Sequence, residues 1–107
     1  MSETVTRLRK TAVERALHGV GQASGDARRA AFENSGSAEP VRPLVDKIAR
    51  TAWKVTDEDI TAVKSAGVPE DQIFELAVCA ALGQATRQLD TALAALDAAV
   101  ANPGDVR

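Results

Sequence analysis

Ile73-Phe74-Glu75-Leu76-Ala77-Val78-Cys79-Ala80-Ala81-Leu82 is the most apolar run in the chain, with one carboxylate and one thiol inside it. A helix with so narrow a polar stripe is normally wrapped by other helices. The run therefore predicts a central helix, with the remaining segments arranged to cover it. Pro69-Glu70-Asp71 opens this helix with a proline and two acids, which suit the first turn and the positive end of the helix dipole. Gly83 predicts a kink, or a break before a last helix. That last helix would carry its stripe on Ala85, Leu89, Ala92, Leu93, Leu96 and Val100, and Asn102-Pro103-Gly104 would end it.

Upstream, Thr56-Asp57-Glu58-Asp59 reads as a capped helix start, with Ile60, Val63 and Ala66 inward and Gly67 as the stop. Before it, Val41, Leu44, Val45, Ile48, Ala49, Ala52 and Trp53 make one stripe, entered at Pro40 or Pro43. Arg42, Lys47, Arg50 and Lys54 make the other face basic. Asp26 can cap a short helix running through Asn34. Residues 19–40 read as either a packed element or an arm. Residues 4–18 read as the first helix, its apolar members Val5, Leu8, Ala12, Val13, Ala16, Leu17 and Val20 recurring at helical spacing.

No stretch alternates at period two, and no hairpin turn joins β-branched runs. The expected fold is all-α: a compact bundle of five or six helices in a single domain over 1–107, with residues 1–40 an N-terminal extension or arm and 41–101 the helical core.

Aromatic residues make up only 3% of the chain, so Ala, Leu and Val must fill the core. At about 25 cal/mol per Å² of buried apolar surface, small side chains contribute little each. Such a core favours an oligomer. The net charge of −2 is unevenly spread: residues 1–54 hold ten Lys/Arg against six Asp/Glu, and residues 55–107 hold three against nine. The two halves can attract, within one chain or between copies. One cysteine permits no intramolecular disulfide, and with one histidine leaves no metal site to expect. The basic faces lack interleaved aromatics and the balance is acidic, so no nucleic-acid partner is expected. No apolar run approaches the roughly 20 residues of a membrane span. The start Met1-Ser2-Glu3-Thr4 lacks a signal-peptide core, so the expected location is cytoplasmic.

Three segments share a pattern with a known family. They are Val55-Thr56-Asp57-Glu58-Asp59-Ile60, Val63-Lys64-Ser65-Ala66-Gly67 and Asp71-Gln72-Ile73-Phe74-Glu75-Leu76. Together they resemble the closing half of an AhpD-like domain of the carboxymuconolactone decarboxylase superfamily. Arg87-Gln88-Leu89-Asp90-Thr91-Ala92-Leu93 is similar to that family's last helix, and Pro43 to Trp53 to the helix before the unit. The resemblance covers about residues 41–98. It implies an all-α homo-oligomer, commonly a trimer or hexamer. Redox-active members use a Cys-x-x-Cys pair followed by His, with a Glu upstream. Sliding that motif onto this chain puts Gln84 and Arg87 at the cysteine positions and Asp90 at the histidine position. An attacking thiolate needs a resolving thiol. Dithiol peroxidase activity is therefore not expected, and no cofactor is implied.

Three residues are candidates for chemistry: Glu75, Cys79 and Arg87. Glu75 in an apolar helix is either an acid/base group of raised pKa or a carboxylate paired with Arg87 or Arg50. Cys79, four residues on, is either a peroxidatic thiol or a small buried hydrophobe. A carboxylate neighbour and apolar surroundings would both raise its pKa, against reactivity. Arg87 can bind a substrate carboxylate or pair with Asp90 or Glu75. His18 suits a helix C-terminus, and Trp53 reads as core or interface. The leading expectation is a non-redox AhpD-like oligomer acting as an accessory or interaction protein. The alternatives are a superfamily enzyme, either a cofactor-free decarboxylase-type catalyst using Glu75 or a single-thiol peroxidase using Cys79, and a small-molecule binding protein with Arg87 and Glu75 in its pocket.

Overall fold

Local capping chemistry fixes most of the helix boundaries. In a computed structural model, which describes residues 3–19 and 21–101, five α-helices follow one another: α1 Glu3–His18, α2 Gly25–Glu33, α3 Arg42–Thr51, α4 Asp57–Ser65 and α5 Glu70–Ala101. A 3₁₀ turn, Ala52–Lys54, ends α3. No strand occurs among the described residues. Thr56 and Asp59 form a reciprocal capping box at α4, and Gly67 leaves that helix at φ 104°, a region open to glycine at no steric cost. Pro43 lies in the first turn of α3. Ser24, not Asp26, caps α2: its side chain accepts the Ala27 N–H, and Asp26 sits in the first turn.

The central and last helices are one. α5 runs unbroken for 32 residues, and Gly83 does not divide it. Gly83 instead lets α2 approach, since a Cβ there would lie 1.8 Å from the Phe32 carbonyl oxygen. α2 is thus a packed element. Its Ala31 joins Val45, Leu76, Cys79 and Ala80 in the main core, while Leu44, Val63 and Ile73 form a second cluster against α4.

α1 lies antiparallel along α5, with Ala16 against Cys79 and Arg9 paired with Asp90. Of the stripe expected on α1, Val13, Ala16 and Leu17 are half-buried, whereas Leu8 and Ala12 are exposed. The side chain of Val5, all of Val20 and the expected stop Asn102-Pro103-Gly104 lie outside the described residues. The long α5 and its α1 companion stretch the molecule to 56 × 28 × 21 Å. Its radius of gyration is 16.5 Å, against about 13 Å for a compact domain of this size.

Within one chain the other segments cover α5 only in part. α2 and α3 pack on one side of its N-terminal half, leaving Phe74 70% and Val78 40% exposed. Trp53 is not core; it is 79% exposed, because the 3₁₀ turn rotates it off the α3 stripe.

Candidate functional site

Glu75 closes the loop between α1 and α2. Its carboxylate accepts the Gln22 N–H at 2.8 and 2.9 Å and the Ala23 N–H at 2.7 Å. The nearest cation is neither Arg87 nor Arg50. Arg28 of α2 places Nη2 3.7 Å from Oε1, with its own side chain only 6% exposed, and donates to the Gly19 carbonyl that ends α1. One carboxylate and one guanidinium thus tie α1, α2 and α5 at a single point. At Gly21 a Cβ would fall 1.9 Å from Glu75 Oε1 and 2.0 Å from Arg28 Nη2, so a larger residue would displace the tips of both side chains.

The backbone N–H of Ala23, then that of Gln22 and the Arg28 charge, hold the Glu75 carboxyl below its ordinary pKa despite partial desolvation. Hydrogen bonds to the ionised form favour it. The group is an anion with its lone pairs engaged, suited to anchoring rather than to proton transfer. Its outer side borders an open depression that Glu70, Asp71 and Phe74 also line.

Cys79 is 1% exposed. Its Sγ lies 3.3 Å from the Ala16 carbonyl, to which it donates. Burial pushes the thiol pKa up; the Arg28 charge opposes this, and the Glu75 charge adds a smaller upward push. Arg87 is spent elsewhere: it donates to the Phe32 carbonyl at 2.7 Å and to Gln84 Oε1 at 3.2 Å, satisfying the C-terminal end of α2. The three candidates therefore do not converge. Glu75 and Cys79 meet near Arg28, and Arg87 sits further along α5. No cluster of His, Cys, Asp or Glu able to hold a metal occurs among the described residues, and no described helix is long and apolar enough to cross a membrane.

Arg28 is the partner of Glu75 that sequence reasoning missed. The signal was present: Ala31 faces inward, and Arg28 lies three residues before it on the same side of a short helix.

The other notable surface is the open face of α5. Phe74, Val78, Ala81, Ala85, Gln88, Ala92 and Leu96 recur at three- and four-residue steps and are all exposed. This arc carries no charge from Phe74 to Leu96. Trp53 stands beside it, sharing a surface recess with Ala81 and Ala85.

Comparison with protein-family models, curated proteins and solved structures finds no match to this chain. The AhpD-like resemblance rests on the residues quoted for it above.

Proposed function

We propose that this chain is a non-redox helical interaction protein that works as a homo-oligomer, two copies meeting through the open face of α5. The observation that carries this is the exposed, uncharged stripe from Phe74 to Leu96 with Trp53 at its edge. Buried charges are costly unless paired, and two copies of this stripe can meet without burying any. Alanines at 81, 85 and 92 leave shallow grooves, which the large Phe74 and Trp53 side chains of a second copy can fill.

The area is sufficient for a modest pair. A full Phe or Trp side chain offers roughly 150–250 Å², so Phe74 and Trp53 at 70% and 79% exposure supply much of it. The stripe itself is about 35 Å long. Together they reach the several hundred Å² of the largest apolar patch on a typical monomer, a patch that is often functional, against roughly 800 Å² per partner in a standard interface. Micromolar association is expected. The AhpD-like resemblance also supports a homo-oligomer, in that family commonly a trimer or hexamer.

Sedimentation of the wild type and of Ala85→Glu, with helicity checked by circular dichroism, tests the proposal. Wild type should sediment as an oligomer at micromolar concentration, and Ala85→Glu as a folded monomer. A wild-type monomer at tens of micromolar, or a variant that assembles unchanged, would overturn it.

A further inference from the structure

On the flank of α5 away from the open stripe, the α2–α3 loop stands off the core and leaves a cavity of about 370 Å³. This is at the lower end of the roughly 300–1,000 Å³ typical of small-molecule sites. Its apolar walls include Ala30 of α2, Val41, Val68 and Leu76. Leu76 is 3% exposed and belongs to the main core, so a ligand here would rest directly on packed structure.

The charged groups of the lining are of one sign. Asp26 and Glu39 are the charged residues, and both are acidic. Glu39 is engaged outward by Arg42 at 2.7 Å, whereas Asp26 has no ion-pair or side-chain hydrogen-bond partner among the described residues. No basic side chain lines the cavity. Gln72 adds an amide from the first turn of α5.

We propose that this cavity is a binding site for a small organic ammonium ion, its hydrocarbon body against Val41, Val68 and Leu76 and its charge at Asp26. An apolar chamber selects for carbon, and an unpaired carboxylate at its rim selects for a cation over an anion of the same shape. The site is independent of the α5 pairing, because Gln72 and Leu76 lie on a different side of the helix from Phe74 and Val78.

The test is a titration of the full chain with phenethylammonium, followed by the methyl resonances of Val41, Val68 and Leu76. Phenylacetate serves as the matched anion. The ammonium ion should shift those methyls saturably at millimolar concentration or below, and phenylacetate should not. Asp26→Asn should weaken binding by about fivefold, the scale of one exposed charge contact, and Ala30→Leu should abolish it by filling the chamber while the helical spectrum is kept. Equal response to both ligands, no saturable shift, or undiminished binding in either variant overturns the assignment.

Discussion

Gly83 of α5 and Phe32 near the end of α2 touch backbone to backbone: a Cβ on Gly83 would lie 1.8 Å from the Phe32 carbonyl oxygen. The same carbonyl receives the Arg87 guanidinium one turn further along. A glycine and an arginine on one helix thus seat the C-terminus of another. Gly83→Ala would favour the isolated helix, since alanine has the better propensity. Here it must push two backbones apart, and overpacking of this kind costs about 1–3 kcal/mol. Urea denaturation should show Gly83→Ala less stable than wild type by that amount.

Replacing Glu75 by Gln removes the anion from two N–H donors and leaves Arg28 buried beside a neutral amide. The expected loss is about 2–4 kcal/mol, read from the same denaturation experiment. Arg28→Met, which removes the stranded cation, should restore part of it in the double variant.

The pH profile follows from Glu75 and Asp59. Glu75 is held below its ordinary pKa by the Ala23 and Gln22 N–H groups and by Arg28. Asp59 is lowered first by its hydrogen bond from Lys47 and also by the Thr56 N–H. A carboxyl with a depressed folded pKa stabilises fully above its unfolded value and loses that contribution as pH falls through the folded one. Stability should therefore be flat near neutrality and decline on acidification below the ordinary carboxylate range. The decline should be shallower in Glu75→Gln, as measured by thermal unfolding across pH.

The Cys79 thiol should be silent in the native state. It is buried, donates to Ala16 and is held protonated at neutral pH, whereas the thiolate is the reactive form. An aromatic disulfide reagent should label it at the rate of unfolding and not before. Rapid stoichiometric labelling of the folded chain, or quick thiol loss in dilute peroxide, would revive a peroxidatic role.

Trp53 is the chain's one tryptophan and reports on the α5 face. At high dilution its emission should be that of a water-exposed indole. Emission should move to shorter wavelength as concentration rises through the association range, and Ala85→Glu should suppress the shift.

The punctuation of this fold was legible in the residues. Thr56-Asp57-Glu58-Asp59, Gly67 and Pro43 each act within a turn of their own position, so no distant contact is needed to read them. The site was legible only in part. Glu75 stood out as a carboxylate in an apolar run, but its partner did not, because any of several arginines could satisfy a buried charge on sequence grounds alone. Arg28 won through its place on the inner side of α2, and Gly21 lies against the tips of both charged groups.

By itself the amino-acid sequence determined that the chain is helical, where most of its helices begin and end, and that it lacks a Cys-x-x-Cys pair, since capping, periodicity and residue identity are local properties. Only the tertiary structure decided that residues 70–101 form one rod, that α2 and α3 claim one side of it, and that Phe74 and Trp53 are left facing water. The reason is physical: α5 is apolar around most of its circumference, so its periodicity could not choose a buried side. That choice fell to the close approach that Gly83 permits and to the grip of Glu75 on the α1–α2 loop.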